Sequence, residues 1–436
     1  MSRVLILGAG PAGAAVALGL RRLGHEVCVV SEWRRFAALE GVSQRVLEGL
    51  RGAGLQKALQ CASGASLRQV SWNGEIAARN HEYLLDRPTF DRGLRADLHA
   101  AGVTLIEARV LTVQRDHGRS IVQLDGAPEL SADFIVEARG RQAPQADKDA
   151  QGKAWRGPQT LSLLNRWQGS PGAAVSALES VADGWVWMAR QADGRCYWQM
   201  TLDVASSALP GKDGLLDYCR QRRQQSQFAQ RFFADAQEHD LQLHARSSTA
   251  ILSRHSCGDG WIRVGDAAMA VDPLSGNGIF QSLSSALQAP AVINTLLSLP
   301  ERAVLARQFH QQRVEQLFWR FARMGRDFYA QEQRWRGQPF WQARSGWPDA
   351  QPLHPPTDFA ALQVQWAPVL RDGLVDRAQV VVSPDQPLGI WHLQGVELAP
   401  LLSRLRHEPA VQVLAGLAPE QAQQVRRWLL SQGYRP

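Results

Sequence analysis

The residues best equipped to do chemistry lie at the amino terminus, where Gly8, Ala9, Gly10, Pro11, Ala12 and Gly13 form a GxGxxG turn. The turn follows Val4, Leu5, Ile6 and Leu7 and precedes a small-residue stretch, 14–23, that stops at Gly24, so it has the strand-turn-helix setting the motif requires. Each glycine has its own task. Gly8 permits the tight turn, Gly10 lets the backbone approach a pyrophosphate, and Gly13 brings the helix close to the sheet while its first N–H groups face phosphate charge. The chemistry is the binding of a dinucleotide. An acceptor for the ribose hydroxyls is expected about twenty residues after Gly8. By spacing that place falls on Ser31, with Glu32 beside it.

A second constellation lies far down the chain. Trp261, Ile262, Arg263 and Val264 read as a buried strand running into Gly265 and Asp266, followed by Asp272, Pro273, Leu274, Ser275, Gly276, Asn277, Gly278 and Ile279 ahead of a helical stretch. A helix amino terminus placed there stabilises an anion. These residues resemble the FAD-binding group that includes aromatic monooxygenases, geranylgeranyl-reductase-like enzymes and tryptophan halogenases. The resemblance implies FAD as cofactor, with Asp266 at the ribityl chain and Pro273 against the isoalloxazine ring. It also implies that Gly276, Asn277, Gly278 and Ile279 start a helix facing the flavin N1 and C2 carbonyl. Arg45 lies where relatives place a flavin-contacting basic residue, and Arg87 and Arg95 lie in a segment similar to one of the family. Arg139 stands before Gly140 where many monooxygenases of the group carry an aspartate, which argues against tight direct use of NAD(P)H. The implied chemistry is the cofactor's: reduced FAD and O2 give a C4a-hydroperoxide whose terminal oxygen passes to an electron-rich aromatic carbon. No side chain, Asp272 included, is assigned as catalyst.

The elements that must position these residues read as an α/β fold. A Rossmann-type FAD-binding domain (1–68, 87–154 and 251–300) carries an inserted antiparallel β-sheet substrate domain (69–86 and 155–250). Leu305, Phe309, Leu317, Phe321, Met324 and Phe328 repeat at helical spacing and predict one long amphipathic helix, part of a closing segment over 301–347. Prolines mark a linker over 348–377. A small α+β, winged-helix-like module follows over 378–436, with a strand pair around 380–382 and 389–393 and helical pieces at 398–406, 411–416 and 419–432.

Within this frame Trp185, Val186 and Trp187 resemble the Trp-x-Trp signature of halogenases, but Met188, Ala189 and Arg190 replace its Ile-Pro ending. The only lysines, Lys57, Lys148, Lys153 and Lys212, match no halogenase setting, so halogenation is demoted. Asp327, Phe328 and Tyr329, followed by Gln338, Pro339, Phe340 and Trp341, resemble the closing segment of flavoproteins that mature quinone cofactors. With the extra module, the chain is most similar to the branch that hydroxylates a tryptophan inside a partner polypeptide to build the tryptophylquinone of quinohemoprotein amine dehydrogenase. The resemblance implies two partners: a polypeptide substrate, an amine dehydrogenase subunit precursor, and a flavin-reducing electron donor. The alternatives are a small-molecule aromatic or indole hydroxylase, a halogenase-branch enzyme and a flavin-dependent prenyl reductase. A non-catalytic escort of the same fold is opposed by the intact Gly265-Asp266 and Gly276–Asn277–Gly278 turns.

Composition bounds the rest. A chain of 436 residues with 45% hydrophobic and 20% charged content is long enough for two domains with their own cores. The net charge of +7 comes from scattered residues, which excludes a nucleic-acid stripe and leaves long-range steering of an acidic partner. Five cysteines without CxxC or metal spacing point to no metal site and to the cytoplasm. No apolar run reaches the ~18 residues of a membrane span. Fifteen tryptophans beside five tyrosines suit flat ligands or polypeptide surfaces, although core filling accounts for most of them.

Overall fold

The computed structural model describes residues 2–34, 36–144, 154–234, 238–276 and 278–435. They form two compact units, Met1–Pro290 with Leu317–Ala350, and Ala291–Gln316 with Gln351–Pro436.

In the first unit a six-stranded sheet runs in the order Cys257–Gly258, Trp261–Arg263, Phe134–Glu137, Arg3–Leu7, Glu26–Val30, Thr104–Ile106. Its five inner and far strands are parallel, and Cys257–Gly258 adds an antiparallel edge. Parallel strands covered on both faces need unbroken apolar runs, and Val4, Leu5, Ile6 and Leu7 are all buried. The helix Pro11–Arg22 takes proline at its first position, where no N–H is needed, and stops at Gly24 in the left-handed region. Leu7, Glu137 and Arg263 share one row of the sheet. The three loops that follow them therefore emerge together, at the end where open α/β sheets bind ligands.

The second sheet has eight strands, in the order His239–Ser247, Thr160–Gln168, Arg195–Asp203, Gly184–Arg190, Val175–Val181, Ser66–Trp72, Glu75–Asp86, Leu39–Val42. It departs from the expected sheet in two ways. Leu39–Val42, placed by sequence with the nucleotide part, pairs with Glu75–Asp86, and Val175–Val181 lies parallel to Ser66–Trp72. Side chains alternate between its faces. Val186 and Met188 join Leu163, Trp198 and Met200 under the helices Leu215–Gln225 and Gln227–Phe233. Trp185 and Trp187 point the other way, packing with Tyr197, Tyr329, Phe340 and Trp341. A three-stranded meander, Val110–Asp116, Arg119–Leu124 and Ala127–Ala132, was not expected; its first turn uses His117 and Gly118, both at positive φ.

The long helix spans Ala303–Gln331. Its apolar stripe ends one residue later than the sequence indicated: Phe328 is 42% exposed, whereas Tyr329 is 2% exposed. A 3.6-residue period drifts across positions over many turns.

The second unit corrects the expected linker. Gln363–Arg371, inside 348–377, pairs antiparallel with Leu374–Val382 along its whole length. Asp372 and Gly373, both at positive φ, make the two-residue turn that suits strand twist. The expected pairing of 380–382 with 389–393 reduces to a single bridge between Val381 and Ile390. The helices Leu398–Leu405, Ala410–Leu414 and Pro419–Ser431 share a core built on Leu401, Leu405, Val413, Val425 and Leu429. Among the described residues no helix is long and apolar enough to cross a membrane.

Candidate functional site

Three loops meet at the carboxyl end of the parallel sheet, and their glycines show why. Gly8 turns at φ +109, with the position of a Cβ only 2.5 Å from the Ala138 carbonyl oxygen; at Gly13 the same position lies 1.9 Å from the Gly8 oxygen. Both neighbours are backbone, so neither glycine accepts a side chain without moving a strand. Gly10 is different, because nothing lies within 4 Å of a Cβ placed there. That open space fronts the helix formed by Pro11, Ala12, Gly13 and their successors, whose N-cap Gly10 contributes no side-chain acceptor. A pyrophosphate occupies this kind of space at a helix amino terminus.

Ser31 is buried; its Oγ accepts the Ala9 N–H at 3.2 Å and donates to the Glu32 carbonyl at 2.9 Å. The hydroxyl braces the turn, and Glu32 is the exposed carboxylate at the strand end. Arg45 stands exposed in the first turn of the helix Gln44–Ala53. Arg87 is buried away from that role, bonded to Glu40 at 3.0 Å and Asp91 at 2.9 Å. Burial pushes the Glu40 carboxyl upward, but Arg87 and Arg34 outweigh it and hold it below the usual range. Arg95 stacks on Trp33, 3.2 Å from the ring centroid. Arg139 pairs with Glu137.

The second motif closes the site. Asp266 sits on the short turn Gly265–Ala267, half-buried, with Arg141 Nε at 3.4 Å and the Ser282 hydroxyl donating at 3.2 Å. Burial raises its carboxyl above the ordinary range, with Arg141 pulling the other way. Pro273 opens the turn Pro273–Ser275, and Gly276 follows at φ +61. A Cβ on Gly276 or Gly278 would meet nothing within 4 Å. Asn277 lies outside the described residues. Ile279 is buried in the first turn of the helix Gly278–Ser298. Nearby in that helix Gln281 is 1% exposed with neither amide atom bonded, an orphan that calls for a partner. Open space before two glycine turns, the half-buried Asp266 and this orphan amide fit an extended dinucleotide carrying a flat ring.

Sequence reasoning missed one group. The Tyr329 hydroxyl donates to Asp272 Oδ1 at 2.8 Å and accepts the Trp185 indole N–H at 3.1 Å. Asp272 Oδ1 also accepts the Leu274 N–H at 2.9 Å, capping the Pro273 turn. Burial, then the neighbouring Asp272, raise the Tyr329 phenol well above the usual tyrosine range. Tyr329 was named only as part of the Asp327-Phe328-Tyr329 segment, and the apolar stripe had been laid through Phe328, so nothing in the sequence brought its hydroxyl to Asp272.

Comparison with known proteins places this geometry. A model of the lycopene cyclase protein family matches residues 3–160. The putative FAD-dependent oxidoreductase LodB of Marinomonas mediterranea is 24% identical over 376 residues, covering 78% of this chain and 96% of that protein. The solved structure of the flavin-dependent halogenase CmlS shares the fold at 16% identity, with TM-score 0.78 and coverage of 99% and 95%. The solved structure of QhpG, a peptidyl tryptophan dihydroxylase essential for tryptophylquinone cofactor biogenesis, superimposes with TM-score 0.88 at 62% identity, covering 100% of both chains. At that identity and coverage the chain belongs to the family of this peptidyl tryptophan dihydroxylase.

Proposed function

We propose that the chain is an FAD-dependent monooxygenase that hydroxylates a tryptophan side chain of a partner polypeptide in the maturation of a tryptophylquinone cofactor. The observation that carries this is the 62% identity, over the whole of both chains, with a peptidyl tryptophan dihydroxylase. The halogenase relatives lie far lower, at 21% and 22% identity.

The backbone of Gly8, Gly10 and Gly13 and the helix start at Pro11 and Ala12 would hold the pyrophosphate, and Glu32 the ribose. Asp266 would hold the ribityl chain, and Pro273, Gly276, Gly278 and the helix they precede would hold the ring. Bound and reduced, FAD supplies two electrons to O2, so that one oxygen enters an aromatic ring and the other leaves as water. The chain's own work is to orient that ring and keep water out. The packed indoles and phenyls of Trp185, Trp187, Phe340 and Trp341 suit the second task.

The partner in this reading is the precursor of an amine dehydrogenase subunit, and the electrons come from a separate flavin-reducing donor. Arg139, standing where an aspartate is usual and tied to Glu137, supports the separate donor. Five cysteines without CxxC or metal spacing support the cytoplasm as compartment. The test is to mix the flavin-loaded protein, a reducing system and the precursor polypeptide, and weigh the products. A gain of two oxygens on one tryptophan, with free tryptophan left unreacted, is expected. Efficient oxidation of free tryptophan with no mass gain on the polypeptide rejects the reading.

A further inference from the structure

The two indoles of the strand Gly184–Arg190 do more than fill the core. Trp185 gives its Nε1–H to the Tyr329 hydroxyl, Tyr329 donates to Asp272, and Asp272 caps the turn that begins at Pro273. A line of hydrogen bonds thus joins the substrate sheet to the loop of the second glycine motif. Its direction is forced, because an indole N–H only donates. The hydroxyl oxygen must face Trp185, and its proton must point at Asp272. The ring cannot swing away, since Phe340 and Trp341 pack edge-on against it, centroids 5.7 and 5.8 Å distant.

We infer that Tyr329 is a positioning residue for the flavin: it fixes the rotamer of Asp272, and through it the Pro273–Ser275 turn and the charge held beside the ring. This role rests on the monooxygenase reading given above. Asp272 is faced by Tyr329 from the long helix, by Arg344 from the helix Pro339–Ser345, by Arg141 from the turn Gly140–Gln142, and by the Leu274 N–H. Tyr329 is faced by Asp272, Arg344 and Trp185. Burial raises the Asp272 carboxyl above the ordinary range, and the Leu274 N–H, Arg344, Tyr329 and Arg141 restrain that rise. Removing the phenolic donor removes one of the restraints, so the carboxylate holds its proton to a higher pH.

The experiment uses flavin-loaded wild type, Tyr329→Phe and Asp272→Asn. It records the absorbance of bound flavin against pH, together with kcat and KM for the precursor polypeptide. Wild type should show one spectral transition, displaced to higher pH in Tyr329→Phe and absent in Asp272→Asn, whose amide oxygen still accepts the Leu274 N–H. Tyr329→Phe keeps the packed ring and should keep FAD. Its kcat should fall about tenfold while KM stays within about twofold. A wild-type transition retained in both variants overturns the role, and so does Tyr329→Phe with unchanged transition and kcat. A transition retained in Asp272→Asn overturns the role by itself, because Asp272 is then not the group through which Tyr329 acts. If wild type binds flavin but adds no oxygen to the polypeptide, the functional reading falls, while the spectral transition still decides for or against Tyr329.

Discussion

Gly265 and Ala12 are pressed together so closely that a Cβ on Gly265 would lie 2.7 Å from the Cβ of Ala12. The two glycine turns therefore brace each other. Gly265 also needs φ +59, which costs a side chain about 1–2 kcal/mol before any overlap. Gly265→Val should lower the melting temperature of the apoprotein and lose flavin. Gly10→Val should melt like wild type without cofactor, since nothing surrounds it, yet bind no FAD. The ratio of flavin to protein after gel filtration checks both, and normal flavin content in Gly10→Val would remove the first turn from the pyrophosphate site.

Arg344 and Asp203 form an ion pair at 3.0 Å with side chains 2% and 7% exposed. Arg344 also donates to Thr160 Oγ1 at 2.8 Å, so it ties the helix Pro339–Ser345 to two strands of the large sheet. Arg344→Met leaves Asp203 charged and buried, and should cost about 3–5 kcal/mol of unfolding free energy. Urea denaturation checks this, and a loss below about 1 kcal/mol would show that water reaches the site.

Glu40 supplies a pH test. Its carboxyl is held below the usual range in the folded chain, so its contribution is present above the ordinary carboxylate pKa and disappears as pH falls through the depressed one. Glu40→Gln should be less stable than wild type at about pH 7, with the difference shrinking towards about pH 3. Parallel denaturation curves at the two pH values decide it; a difference that grows in acid contradicts the assigned sign.

Trp366, 57% exposed on the hairpin Gln363–Arg371, has Arg377 over its ring at 5.7 Å. An exposed indole with a stacked cation suits a polypeptide contact. Trp366→Ala should keep flavin content and melting temperature and weaken capture of the precursor polypeptide. Unchanged affinity by calorimetry would exclude this face of the hairpin from docking. Deleting 378–436 is a poorer test, because the cut falls inside the strand Leu374–Val382.

No halide incorporation is expected. Of the four lysines, Lys57 and Lys212 are exposed, and Lys148 and Lys153 lie outside the described residues. The Trp185 indole N–H is committed to Tyr329. Mass spectrometry of indole and tryptophan after reaction in chloride or bromide checks this, and any halogenated product contradicts it.

The parts legible in the sequence are those whose cause is local. Gly8 and Gly13 announce themselves because backbone neighbours leave them no room, and the run Val4 to Leu7 because a doubly covered strand must be apolar. Leu39–Val42 was misplaced because its partner strand is distant in sequence and four residues carry no periodicity. The hairpin turn Asp372-Gly373 was a readable signal, overlooked between the prolines and the helices. The Tyr329–Asp272 bond was not legible at all. Hydrogen bonds between elements have no sequence period, and a one-residue drift in the helix stripe hid the hydroxyl.

The strand Phe134–Glu137 lies between Arg3–Leu7 and Trp261–Arg263, which sets a timetable for birth on the ribosome. Once residue 137 has emerged, one edge of the new sheet can zip onto Arg3–Leu7. The other edge must wait for a strand still unsynthesised, on the order of ten seconds at ~5–20 residues per second. For that interval a short edge, apolar in three of its four residues, offers its open N–H and C=O groups to any passing chain. Overproduction at high temperature should then yield aggregates seeded by amino-terminal fragments, and slower synthesis or an added chaperone should raise the soluble yield more than any stabilisation of the finished fold.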